Sequence, residues 1–225
     1  LLLRTAPLKY RNDLMNLKAH FTDPEVLRVF KLWSELVEKG FFVSSVNDME
    51  WDSGAAELVF TGQAAMTLMG TWLSSYFSDA AHKWQAGTDF DFFSFPIIDE
   101  KIPKVALGPI DGFVVPAKSS NIKGALQVLA YLAKPENQKI MSQGSGALAP
   151  GIHVPADFYN TFQKALFKEI VQIPHWAFNY DLATPPKAAA IGLSSFAEFL
   201  EFPKNYKDTL KKWEAETQKL LTEIK

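Results

Sequence analysis

The sequence predicts an α/β chain. Long stretches carry apolar residues at helical spacing, and short apolar runs bounded by glycine or proline recur between them. Composition supplies the third argument. The chain has 225 residues, 48% hydrophobic, 21% charged and 13% aromatic, enough apolar mass for a real core and too much for a disordered polymer. At roughly 150 residues per domain, that length corresponds to one or two domains.

The first strong element starts at Thr22-Asp23-Pro24-Glu25. Thr22 suits the cap, Pro24 the first helical position, and Glu25 can reach back. Val26, Val29, Phe30, Trp33, Leu36 and Val37 then trace one helix face, and Gly40 stops it. Phe41-Phe42-Val43 reads as a buried entry into the next layer. Asp52 to Phe60 is a second helix with Ala56, Val59 and Phe60 inward, followed by a turn at Thr61-Gly62-Gln63. Ala64 to Met69, between Gly62 and Gly70, has the length and apolar content of a strand covered on both faces. Trp72 to Phe77 opens a helix. Phe90 to Ile98 is a strand pair or an extended segment, broken by Pro96.

Phe113-Val114-Val115 is expected to form a strand ended by Pro116. Ser119-Ser120-Asn121 caps a helix with Ile122, Ala125, Leu126, Leu129 and Leu132 on its face. Pro135 starts a short helix ending near Gly144, and a loop runs to Gly151. Phe158 to Ile173 is helical, Asp181 to Pro186 is an extended loop, and 187–202 and 208–224 are the last helices. No repeat or low-complexity tract occurs.

Charge and residue usage exclude several functions. Lys plus Arg number 23 and Asp plus Glu 25, a net charge of −2, so no basic excess invites nucleic acid. Cysteine is absent, which removes thiol nucleophiles, disulfides and Cys-based zinc sites. His20, His82, His153 and His175 show no short ligand spacing, so neither a metal nor another cofactor is expected. Gln143 occupies the position where a nucleophile elbow around Ser145 needs glycine. Lys204, Lys207, Lys211 and Lys212 are interleaved with acids and read as a solvated helix face. No apolar run approaches the ~20 residues of a membrane span. Leu1-Leu2-Leu3-Arg4-Thr5 is no signal peptide, so any export signal is expected to lie outside this chain.

Four ordered blocks resemble the sugar-binding proteins of ABC importers. They are Phe21 to Val26, Phe60-Thr61-Gly62-Gln63-Ala64-Ala65-Met66-Thr67-Leu68-Met69-Gly70-Thr71-Trp72, Gly108 to Pro116 with the helix up to Pro135, and Asp181 to Pro186. The resemblance implies a two-lobed, hinged, maltose-binding-protein-like fold of periplasmic-binding-protein type II. Most of the N-terminal lobe would lie outside this chain. It implies that residues 1–105 are the first part of the C-terminal lobe, 106–152 a segment of the N-terminal lobe after a hinge crossing, and 153–225 the second part of the C-terminal lobe. It also implies a monomer in the periplasm or at the cell surface that meets membrane permease subunits.

A sugar offers apolar C–H faces and a ring of hydroxyls, so its site needs flat aromatics and fixed acceptors. Trp72 follows an expected strand and Gly70, at a strand end where α/β crevices form; by resemblance it matches the family's sugar-stacking tryptophan. Packing at a helix start is the alternative. Asp111, before Gly112, is either an acceptor for sugar hydroxyls or a turn residue, with Gly112 allowing close backbone approach. Asp181 is a cleft-rim carboxylate or a plain helix lead-in. Trp51 with Asp52 resembles a pair often found ahead of the Ala-Met motif, though Asp52 reads better as a cap. Trp176 and Tyr180 flank the Asp181 loop as secondary stackers, while Trp33 and Trp213 are assigned to packing.

Three functions compete at this level. The first is non-catalytic capture of a sugar and its delivery to a permease by lobe closure. The second is a glycoside hydrolase with Asp111 and Asp181 as its carboxyl pair, which would need them ~5 Å or ~6.5–9.5 Å apart. The third is a helical interaction module whose aromatics are all core.

Overall fold

The structure is a computed structural model and describes residues 1–44, 46–151 and 153–224, without the side chain of Ile224. The helices, in chain order, are α1 (Leu2–Thr5), α2 (Leu8–Met15), α3 (Pro24–Glu38), α4 (Glu57–Phe60), α5 (Leu73–Ser78), α6 (Ile122–Leu132), α7 (Pro135–Ser145), α8 (Thr161–Ile170), α9 (Tyr180–Ala183), α10 (Pro186–Glu201) and α11 (Tyr206–Ile224). A π-helical turn, Trp51–Ala56, leads into α4. Strands β1 (Val105–Leu107) and β2 (His175–Ala177) pair in parallel, Val105 opposite His175 and Leu107 opposite Ala177. The chain divides into two compact units: residues 1–50, 95–109 and 173–225, and residues 51–94 and 110–172. The positions 105 and 152 that the resemblance implied as lobe boundaries fall inside these segments.

The first unit is built on α3, α10 and α11. Its core joins Leu14, Met15, Phe21, Val26, Val29, Phe30, Phe199, Leu210 and Trp213. Phe30 meets the Phe199 ring edge-on, centroids 4.9 Å apart. The Trp33 ring lies 4.8 Å from Phe199, so both helical tryptophans pack as their spacing predicts. Gly40 takes φ +72°, and the amides of Gly40 and Phe41 close back onto the carbonyls of Val37 and Leu36. This is a left-handed helix stop that a β-carbon would strain.

Two expectations fail here. The cap of α3 is Asp23 and not Thr22, and it makes no side-chain capping bond. Its carboxylate is already used: Oδ2 accepts from the His20 amide at 3.0 Å and the Tyr10 hydroxyl at 3.2 Å. Phe41, Phe42 and Val43 are exposed rather than buried.

The second unit has a thinner interior. A relay of rings runs from Phe60 to Trp84, Phe77, Phe90 and Phe162, each step 5.0–5.4 Å. Gln163 is buried at 1% exposure. Its amide donates to the Ser142 carbonyl at 3.1 Å and the Ala147 carbonyl at 3.3 Å, tying the end of α7 to α8. Asn160 and Gln163 form a reciprocal capping box, so α8 begins at Thr161 rather than at Phe158.

Gly146 closes α7 at φ +73°, and a β-carbon there would stand 2.5 Å from Ser74 Oγ. Gly146→Ala combines left-handed strain with a steric conflict. It is expected to destabilise this unit by about 1–3 kcal/mol, read as a lower denaturant midpoint; an unchanged midpoint would contradict the packing.

The strands expected at Ala64 to Met69 and at Phe113 to Val115 do not form. Both segments are irregular, with Met66, Leu68, Phe113 and Val114 more than 60% exposed. The only named ladder among the described residues is β1–β2, so neither segment has a neighbour to pair with. Helix α6 is present and capped as expected, with Asn121 accepting from the Gly124 amide at 2.9 Å, yet none of its residues is buried. Its apolar face therefore lacks the burial that makes such a face stabilising. Leu126→Lys in this chain is expected to change stability by less than about 0.5 kcal/mol; a loss of several times that would show the face to be covered. No helix among the described residues is long and apolar enough to cross a membrane.

Candidate functional site

The candidate residues fall into two groups, one on each unit. In the second unit, Trp51 begins the π-helical turn at 41% exposure. Its ring meets Tyr76 of α5 edge-on, centroids 6.1 Å apart. Asp52 does not cap a helix as expected: it lies inside the π-helical turn, and its Oδ1 accepts from the adjacent Ser53 amide at 2.6 Å. Trp72 immediately precedes α5 and is half-buried. Its indole is folded onto Gly70: a β-carbon there would stand 2.0 Å from Trp72 Cζ3. The spacing Gly70-Thr71-Trp72 thus has a local steric cause, because only glycine leaves room for the ring. One part of the indole is packed on Gly70 and the residue as a whole is partly exposed.

Asp111 and Gly112 are exposed in an irregular stretch. Asp111 has no hydrogen-bond partner among the described residues, so its oxygens are free to accept. A β-carbon at Gly112 would meet nothing within 4 Å. Close approach by the protein's own backbone is therefore not what this glycine serves.

In the first unit, Trp176 sits on β2 opposite Ala106 and is 41% exposed. Its ring passes over Gly108, where a β-carbon would lie 3.2 Å from Cζ2. Phe178 and Leu107, beside it, are also exposed, making an apolar rim at the end of the strand pair. Arg11, itself buried, donates from Nη2 to the Phe178 carbonyl and anchors the chain after β2. Burial lowers the pKa of the Arg11 guanidinium.

Asp181 is exposed in the first turn of α9. The extended loop expected at Asp181 to Pro186 is thus a one-turn helix followed by the start of α10. Tyr180 is a correction of the secondary-stacker reading. Its ring packs edge-on against Phe196 and Trp213, its hydroxyl donates to the Ala188 carbonyl at 3.1 Å, and burial pushes the phenol pKa up. Packing accounts for it, and Gly192 makes the space.

Sequence reasoning missed one cluster. His82 lies between Asp79 and Glu57, with the Tyr76 hydroxyl donating to Glu57. The Asp79-His82 spacing was a visible signal; the Glu57 contact, 25 residues away, was not. Among the described residues no group of three His, Cys, Asp or Glu side chains is arranged to hold a metal ion.

The fold is that of solved bacterial solute receptors. The bacterial solute receptor AcbH, described as exclusively preferring β-D-galactopyranose, superposes with a TM-score of 0.80 at 25% identity. The match covers 97% of this chain and 55% of that one. A chitin oligosaccharide binding protein superposes with a TM-score of 0.77 at 21% identity, covering 96% and 54%, a likeness of fold alone. The family model of the bacterial extracellular solute-binding proteins matches residues 3–165, and the chain belongs to that family.

An uncharacterized ABC transporter extracellular-binding protein of Pyrococcus horikoshii is 29% identical over 170 residues, 76% of this chain and 36% of the relative. The chain therefore spans about a third of that curated relative and about half of the solved receptors. Its fold is part of the two-lobed binding-protein fold.

Proposed function

We propose that the full-length protein captures a sugar or oligosaccharide without chemical change and delivers it to the permease of an ABC importer. The observation that carries this reading is the likeness to AcbH across nearly the whole chain. Three indoles with open surface support it, since carbohydrate C–H faces pack on aromatic rings. Trp72, Trp51 and Trp176 supply such faces, and Asp111 and Asp181 supply acceptors for hydroxyl groups, with the Gly112 backbone open to a ligand.

Contacts to both lobes favour the closed state, so closure reports that a ligand is held. A carboxylate that loses its hydroxyl partner inside the closed site is left unpaired, so the site discriminates against deoxy analogues. By the resemblance we assign residues 106–152 to the N-terminal lobe and 1–105 and 153–225 to the C-terminal lobe, whereas the compact units of the chain divide after residues 50, 94, 109 and 172. The uncovered faces of α6 and of Phe113 and Val114 are what the remainder of that lobe covers. The site of action is the periplasm or the cell surface.

Tryptophan fluorescence of the full-length protein, titrated with mono- and disaccharides and paired with a product assay, tests the reading. A saturable change with the sugar recovered intact is expected. Cleaved glycosidic bonds, or no response to any sugar, would contradict it.

A further inference from the structure

His82 is held in a way that only one protonation state satisfies. Its side chain is 13% exposed. Nδ1 lies 2.9 Å from Asp79 Oδ1 and Nε2 lies 3.4 Å from Glu57 Oε2. A neutral imidazole has one donor and one lone pair, so one of its nitrogens would face a carboxylate with nothing to donate. The imidazolium donates to both.

The rest of the cluster is built around that ring. The amides of Ala81 and His82 donate to Asp79 Oδ1 at 2.9 and 2.8 Å, fixing the carboxylate from its own turn. Phe60 of α4 stands edge-on to the imidazole, centroids 4.5 Å apart, and Tyr76 of α5 covers its face at 4.3 Å. The Tyr76 hydroxyl donates to Glu57 Oε2 at 3.2 Å, the same oxygen that faces His82. Trp51 packs against Tyr76. Other charges nearby are Asp52, whose field reaches Tyr76, and Lys83, which follows His82 with φ 58°. No lysine or arginine pairs with Glu57 or Asp79 among the described residues, so the imidazolium is the cation of this cluster.

We propose that protonated His82 is a positioning residue for the Trp51–Tyr76 aromatic pair, bridging Asp79 to Glu57 so that Tyr76 is held as the wall on which Trp51 rests. Loss of the proton leaves one nitrogen of the ring opposed to a carboxylate, and the Glu57–Tyr76–Trp51 chain loosens. The consequence for ligand capture rests on the sugar-binding reading; the positioning itself does not.

The direction of titration follows from the geometry. The hydrogen bond to Asp79, and after it the one to Glu57, hold the imidazole above its ordinary range. The stabilisation is therefore complete below about pH 6.5, the ordinary imidazole value, and is lost as pH rises through the raised one. Asp79, held below the ordinary carboxylate range by the His82 amide and then by the His82 ring, gives way only in acid.

The test uses the full-length, sugar-free protein carrying 5-fluorotryptophan. Fluorine resonances assigned to Trp51 and the ring signals of His82 are followed across roughly pH 5–9, a window set about the ordinary imidazole value. Both are expected to titrate with one shared midpoint above that value. His82→Gln should abolish the Trp51 titration. Glu57→Gln, which keeps the imidazole and removes one acceptor charge, should move the midpoint down. A His82 midpoint at or below the ordinary value, or a Trp51 signal that stays flat while His82 titrates, would overturn the proposal.

D-galactose is then titrated on either side of that midpoint. Affinity should fall several-fold above it in the parent and stay flat in His82→Gln. A flat profile in the parent removes the link to capture. Absence of D-galactose binding at every pH speaks against capture of that sugar, and the positioning role then stands or falls on the shared Trp51–His82 midpoint alone.

Discussion

Trp213→Ala is expected to lower the stability of the first unit by about 4 kcal/mol, the largest effect of any single truncation in this chain. The indole is 2% exposed. It stacks on Phe21 with centroids 4.1 Å apart and an 18° interplanar angle, and it meets Phe30, Phe196 and Tyr180 edge-on at 6.2, 5.1 and 5.8 Å. Four rings from different stretches of sequence lose their common neighbour at once. The cavity also faces Gly192, where no side chain is available to fill it. A denaturant midpoint within experimental scatter of the parent would show that this ring is not the centre of the core. Trp213→Phe retains part of the stack and should lose clearly less.

Trp72→Ala in the full-length protein is expected to weaken sugar binding by about 2 kcal/mol, roughly thirty-fold in dissociation constant, as for an anchoring aromatic at a binding surface. The structure adds a condition to this expectation. Because the ring also packs on Gly70, the variant exposes a stretch of backbone, and the unfolding midpoint must be measured beside the affinity. A lower affinity at nearly parental stability supports the stacking role. An unchanged dissociation constant removes Trp72 from the site. A matching variant, Trp176→Ala, probes the exposed indole of the first unit, whose ring covers Gly108 in the same manner.

What could be read in the sequence was mostly local. The Pro24 start and the Gly40 stop of α3, the Asn121 cap of α6 and the apolar stripe from Val26 to Val37, buried at Val26, Val29 and Phe30 and partly covered at Trp33, Leu36 and Val37, are properties of a few adjacent residues, and all of them appear. The misread elements depend on partners far along the chain. Ala64 to Met69 has the composition of a buried strand, but a strand exists only beside another, and none is placed there. The strands that do form, β1 and β2, are three residues each and too short to show alternation; their pairing joins positions 70 apart.

The site divides the same way. Trp72 was singled out by the resemblance and by an expected strand end; that strand is absent, and the ring lies instead on Gly70, a contact the spacing alone does not announce. Tyr180 looked like a stacker because it sits beside Asp181, and only the packing of α10 and α11 shows that its face is already taken. The His82 cluster was out of reach because Glu57 and Tyr76 enter it from separate helices.

Isothermal calorimetry of the full-length protein against a panel of sugars, D-galactose and chitin oligosaccharides included, is the most direct trial of carbohydrate capture. A saturable one-to-one isotherm is expected for at least one sugar, with a negative heat-capacity change from buried apolar surface and recovery of that sugar unaltered. No binding heat across the panel, with the protein folded, would contradict it.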